Sequence, residues 1–330
     1  MTVKQIFDLG IEMGIAADPR GVRGVKEYLN RAKKDYEKAS GREKEYFDTE
    51  RLTNPYIDSV VHVDDGKTKV KRIMAGIDIN SADILVASQL AERGKPVDLV
   101  IAHHPIGKAI ARLHDVMDLQ TDVYHAEGLP IHLAEKIMDD RICEVGRGVH
   151  GMNHYQVVDV ARILGINLIN THTITDNMVD QYIRQYLEKK EPYRLADLLD
   201  MLMEIPEYQI ATRQGSGPTL FSGSLKHRVG KFVVEMTGGT EPSNKLYEHF
   251  SRIGISTLVS MHIREASMEK AKEQGMNIVV AGHMSSDSLG MNLFLDELEK
   301  RGIEIVPCGG LIRVSRNKAT KKENSKAKKK

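Results

Sequence analysis

"VKRIMAGIDINSADILVASQLAERGKPVDLVIAHHP", Val70–Pro105, sets two apolar runs on either side of one helical segment. The first run is strand-like. "SADILVASQLAERG" then has helical spacing and ends on a glycine, and "VDLVIAHHP" is apolar at every position before its histidines save Asp98. A strand with one wet face alternates polar and apolar residues, whereas a continuous apolar run is buried on both faces. Strand, helix, strand is the unit of a sheet with parallel neighbours.

The alternation continues outward. "VVDVARILG" precedes "INLINTHTITD", "EHFSRIG" leads to "ISTLVSM", "EASMEKAKEQG" to "MNIVVAGHMSSD", and "GMNLFLDELEKRG" to "IEIVPCG". The pattern predicts an α/β chain with parallel or mixed sheets flanked by helices. Two lobes are expected, with the site in a cleft at the strand C-terminal ends. Residues 52–180 with 246–316 read as the lobe that carries the site. Residues 181–245, two helices and then short strands broken by Gly, Ser and Pro, read as an inserted second lobe. Within it "GSGPTLFSGS" lacks the Lys-Ser/Thr ending of a phosphate loop and reads as a hairpin-linked loop. Residues 1–51 read as a helical arm, with Val25, Tyr28, Leu29, Ala32, Tyr36 and Ala39 near a 3.6 period. It lies against the body or is simply solvated.

At 330 residues the chain suits one large or two interlocked domains, and 41% hydrophobic residues supply a substantial core. The net charge of +1 hides a basic C-terminal end, "RNKATKKENSKAKKK", which has no apolar residue but alanine. From 317 to 330 it reads as a disordered tail. Without it the body is mildly acidic, so nucleic acid is not an expected partner. Two cysteines are too few for a disulfide scaffold, the N-terminus has acidic residues and no apolar stretch of signal-peptide length, and no segment approaches the ~20 apolar residues of a membrane helix. A reducing, cytoplasmic location and no membrane partner are expected.

Three strand ends finish on His or Asp: His103 and His104, His172 with Asp176, and His283 with Asp287. Adjacent strand residues point to opposite faces, so His103 and His104 serve two sides of a pocket or two neighbouring ions. Gly282 lets the chain turn, a helix starts near Ser285, and His283 and Asp287 lie about one turn apart. Imidazole and carboxylate without thiolate suit Zn²⁺, Fe²⁺, Mn²⁺, Co²⁺ or Ni²⁺. Three histidines and two carboxylates exceed one tetrahedral ion with an open position and suit two divalent ions.

"IAHHPI", "THTITD" and "AGHMSSD", with the upstream "IMAGIDIN", resemble in order and spacing the motifs of the GTP cyclohydrolase I type 2 homologue family, the Nif-three-like dinuclear-metal-centre proteins. The resemblance covers about 52–316 apart from the middle. It implies metal ligands at His103, His104, Asp176, His283 and Asp287, the last as the bridging acid. There the family usually has glutamate, and aspartate keeps the charge with a shorter reach. The resemblance also implies ring-like homo-oligomers, such as a hexamer. His172 reads as a residue that orients a ligand or as a plain strand-end histidine, and Asp78 and His154 as cleft-lining candidates. His62, His114, His125, His132, His150, His227, His249 and His262 read as structural or surface residues.

These residues predict a hydrolase of a small molecule, nucleotide or pterin-precursor related, that uses a metal-activated water. The alternative is a non-catalytic metal-binding scaffold or regulatory protein.

Overall fold

The computed structural model describes residues 1–317. Among them are nine strands: β1 Val61–Val63, β2 Arg72–Gly76, β3 Leu99–Ala102, β4 Leu168–Asn170, β5 Thr219–Ser222, β6 Lys231–Glu235, β7 Ile255–Ser260, β8 Asn277–Val280 and β9 Glu304–Cys308. They form two mixed sheets flanked by helices, in the orders β1-β4-β3-β2-β9 and β5-β8-β7-β6.

The quoted stretch forms as its pattern predicts. β2 and β3 pair in parallel, Ile73 opposite Leu99 and Gly76 opposite Ala102, and all four residues of β3 are buried. The helix between them, Ser81–Glu92, starts where the Asn80 side chain accepts from the Ala82 N–H and Asp83 answers with a bond to the Asn80 N–H. β9 returns from the far end of the chain to lie parallel to β2. Only β1 and β5, each at a sheet edge, run antiparallel to their neighbours.

The division expected at 246 does not follow the sheets. β7 and β8 pair with β6 and β5, so the second sheet gathers strands from 219 to 280. Only the helix His283–Lys300 and β9 then lead back to the first sheet. The strand in "GSGPTLFSGS", β5, pairs with β8 and makes no hairpin with β6. Pairing partners depend on tertiary contacts that periodicity within one segment does not report.

The first helix, Val3–Ala17, is more than an arm. Val3, Ile6, Phe7 and Ile11 are buried against the main core, and it packs along the helix His172–Lys190. The second helix, Gly21–Lys38, buries only Val25 and Ala32. At the C-terminal end, Arg313 bonds Asp296 at 2.6 Å, and Arg316 clamps the fully buried Glu207 with two bonds of 2.7 and 2.8 Å. Asn317 donates to the Asp296 carbonyl and to Glu299. Asn317, expected as the first residue of the tail, is thus tied to the fold; residues 318–330, the rest of that expected tail, lie outside the described residues. No helix among the described residues is long and apolar enough to cross a membrane.

Candidate metal centre

His103 and His104 follow β3 directly, and their backbone N–H groups still bond β2 and its extension, at Gly76 and Ile77. His172 and Asp176 occupy the start of the helix His172–Lys190, and His283 and Asp287 the start of His283–Lys300. Both helices therefore start at the expected strand-end histidines, and each His–Asp pair at i, i+4 shares one face. Gly282, at φ 107°, makes the turn into the second of these helices. The two helices approach so closely that a Cβ at Gly290 would overlap the Thr175 carbonyl oxygen.

That contact carries a prediction. Gly290→Ala should force the helices apart at a cost of about 1–3 kcal/mol. It should also lower metal content, because both His–Asp pairs lie on these helices. Thermal melting and metal analysis read the two effects; an unchanged melting temperature with unchanged metal would mean that the contact has slack.

Three histidines are anchored through Nδ1, and each leaves Nε2 for the centre. His172 Nδ1 bonds Asp58 at 2.7 Å, His104 Nδ1 bonds Asp78 at 2.7 Å, and His103 Nδ1 lies 2.9 Å from Thr175 Oγ1. The Thr175 hydroxyl donates to the Thr171 carbonyl, so it accepts from His103. Carboxylates likewise accept from His172 and His104. With Nδ1 held as the donor in each ring, Nε2 is the nitrogen each can offer to a metal, the arrangement a metal-binding imidazole needs.

The Nε2 atoms surround two carboxylates. His103 Nε2 is 3.4 Å from both Asp176 Oδ1 and Asp287 Oδ1. Asp287 Oδ2 is 3.2 Å from His104 Nε2 and 3.4 Å from His283 Nε2, while His172 Nε2 is 3.7 Å from Asp176 Oδ2. His103 Nε2, Asp176 Oδ1 and both Asp287 oxygens are buried without a hydrogen-bond partner. Two sets of ligand atoms, His103–His172–Asp176 and His103–His104–Asp287, each lie within 4.8 Å of one another.

The electrostatics show what the cluster lacks. Burial pushes His103 down to about 4, so the ring is neutral near neutral pH. Burial also acts downward on His104, but Asp287 and Asp78 outweigh it and carry it up to about 9. Burial opposes the charge of Asp287, yet His103 and His104 hold it below the usual carboxylate range. Asp176 is pushed well above that range by burial and then by Asp287, Asp58 and Asp180. Buried carboxylates beside imidazoles, with their lone pairs unpartnered, are a donor set that fits a divalent transition-metal ion.

All five residues expected as ligands meet here. His172, expected behind a ligand, offers a ligand atom itself, and Asp78 stands behind His104. His154 does not join them: its Nε2 bonds the Val149 carbonyl at 2.7 Å, which closes the C-terminal end of the helix Ile131–His150. Sequence reasoning missed Asp58, 114 residues from His172, for which no local pattern speaks. It also set aside His262, whose ring lies 4.8 Å from His283 and whose Nδ1 is 3.9 Å from Glu241. "TLVSMH" carries the same strand-end signal as "LVIAHH" and marks that position.

No family model matches the chain, and no curated protein matches it. Among solved structures it is similar to a NIF3 superfamily protein from Sphaerobacter thermophilus, with 27% identity and a TM-score of 0.68 over 87% of this chain and 98% of that one. Looser likenesses are reduced HcgD from Methanocaldococcus jannaschii, 16% identical with a TM-score of 0.48 over 75% and 87%, and TTHA1606 from Thermus thermophilus, 16% identical with a TM-score of 0.45 over 88% and 99%. A fold shared along nearly the whole of the Sphaerobacter protein, with the motifs read from the sequence gathered in one buried cluster, makes this chain a member of the NIF3 superfamily.

Proposed function

We propose that the protein is a dinuclear-metal-dependent hydrolase of a small molecule. The observation that carries this reading is Asp287, whose two unpartnered oxygens face different histidines, Oδ1 toward His103 and Oδ2 toward His104 and His283. His103 belongs to both ligand sets but has one lone pair to give, so a single ion leaves part of the cluster unsatisfied. His103, His172 and Asp176 would hold one ion, His104 and His283 the other, and Asp287 would bridge them. Such a pair of ions supplies an activated water near neutral pH and positive charge against the negative charge that develops on the substrate.

The chain's own contribution is position and dryness. Asp58, Asp78 and Thr175 fix the imidazole orientations, and the burial of His103, Asp176 and Asp287 keeps bulk water from competing. A reducing, cytoplasmic setting and ring-like homo-oligomeric assembly belong to the same proposal, the first supported by two free cysteines and the second by family resemblance.

Protein loaded with Zn²⁺, Mn²⁺ or Fe²⁺ should retain about two equivalents after dialysis. Hydrolysis of a panel of cyclic amides and phosphoesters should follow metal occupancy, vanish with a chelator and return with added metal. Retention near zero would end the reading. A second reading, a scaffold in which the ions lock two helices, rests on the close contact at Gly290; it predicts a collapsing melting temperature without metal and no turnover on any substrate.

A further inference from the structure

On one face of the first sheet, Met74, Val100, Ala102 and Leu168 pack against Ile84, Ala87, Val158 and Ala161. The helices Ser81–Glu92 and Gln156–Leu164, side by side, roof this small core. A helix that covers a sheet turns its other side to water, and that side is ordinarily charged. The helix Glu265–Glu273, on the second sheet, obeys this rule: Glu265, Glu269, Lys270, Lys272 and Glu273 are all exposed.

The helix Ser81–Glu92 does not. From Ala82 to Ala91 its exposed residues are Ala82, Leu85, Val86, Gln89 and Ala91, without one charge. Leu85 is 50% and Val86 48% exposed, and Ile163 on the neighbouring helix, at 81%, is the most exposed large apolar side chain among the described residues. On that neighbour the exposed Asp159 and Arg162 pair with each other at 3.3 Å and leave no net charge. An apolar patch across two adjacent helices marks a surface that another protein surface covers. Charge decides which. Asp83 lies in the first turn of the helix, while the exposed Arg93 and Lys95 follow its last residue, Glu92. One end is therefore acidic, the other net basic, and the middle uncharged. A two-fold axis beside the Leu85–Val86 step lays two such helices antiparallel, acidic end to basic end, with no charge between them.

We propose that this face joins two copies of the chain across a two-fold axis, with the helix Ser81–Glu92 on the same helix of the partner and Gln156–Leu164 on its counterpart. In that pairing Leu85 meets the partner's Val86, and Ala82 meets the partner's Gln89, a small residue against a large one. The uncharged middle fits the core of such an interface, which is depleted in charge, and Asp83 on one side with Arg93 and Lys95 on the other supply its rim. Family resemblance supports assembly but names no face. Neither helix supplies a metal ligand, so the proposal stands apart from the hydrolase reading.

Sedimentation velocity of the full chain, alone and with Leu85→Lys or Val86→Glu, tests this. The unsubstituted chain should sediment at a multiple of its 37.0 kDa, and each variant by itself at a lower mass, its association weakened at least ~100-fold by the charge brought into the contact. An equimolar mixture of the two variants should regain the mass, because the introduced charges are opposite and the pairing sets them against each other. Both positions are half-exposed, so melting of the dissociated chain should stay cooperative and metal content should be unchanged, which guards against a folding defect. An unsubstituted chain at 37.0 kDa, variants that keep the full mass, or a mixture that stays dissociated would overturn the proposal. Metal content is read separately, so a chain that retains no ions but loses mass in both variants refutes the hydrolase reading and spares the interface.

Discussion

Asp287→Asn protein, loaded to saturation and dialysed, should retain less than one equivalent of divalent metal where the unsubstituted chain retains about two. Asp287 is 1% exposed, and both its oxygens face imidazole nitrogens with no hydrogen bond of their own. Asparagine keeps one neutral oxygen and turns an NH₂ group toward a lone pair, removing the negative charge that would offset both ions. Turnover, where found, should fall at least ~100-fold, since positions on both ions change at once. Asp58→Asn is the informative contrast. It disturbs only the orientation of His172, which costs roughly 10–100-fold in affinity, so two ions should still bind at saturating metal. Elemental analysis across a metal titration separates the cases; equal retention by Asp287→Asn and the unsubstituted chain would show that Asp287 is no ligand.

Glu207→Ala should be among the most destabilising single substitutions away from the centre. Glu207 lies in the first turn of the helix Pro206–Arg213, is fully buried, and accepts from Arg316 twice and from Asn292 Nδ2 at 2.8 Å. Alanine leaves an unpaired guanidinium and an amide donor in the fold. Breaking a buried pair from one side costs about 3–5 kcal/mol, and the partial exposure of the Arg316 side chain places the loss at the low end, ~3 kcal/mol. For a chain of this size that lowers the melting temperature by roughly 4–5 °C. A chain ending at Ser315 should lose about as much, whereas one ending at Asn317 keeps the clamp. Melting curves of the three check this; a loss under ~1 kcal/mol in Glu207→Ala would mean that water replaces the carboxylate at little cost.

Much of the fold was legible because it rests on short-range pattern. The apolar "LVIA" run announced a strand buried on both faces, "RIMAG" read as a strand, and Gly94 closed the helical segment between them. Ligand chemistry was legible too, since adjacent histidines after a buried strand and His–Asp pairs one helical turn apart are local features. His172 was read as a residue that orients a ligand or as a plain strand-end histidine; the helix that starts there turns it onto the same face as Asp176.

Sequence alone determined the α/β class and the segments that carry the candidate ligands, because each follows from residues within a few positions of one another. Tertiary structure alone decided that β7 and β8 join the second sheet, that Asp58 stands behind His172, and that Gly290 lets two helices meet. Contacts of this kind join segments far apart in the chain, as Asn177 joins Gly14 and β9 joins β2. A periodicity reports which face of an element is buried but not which distant element covers it, and that choice is made by packing and hydrogen bonding over the whole chain.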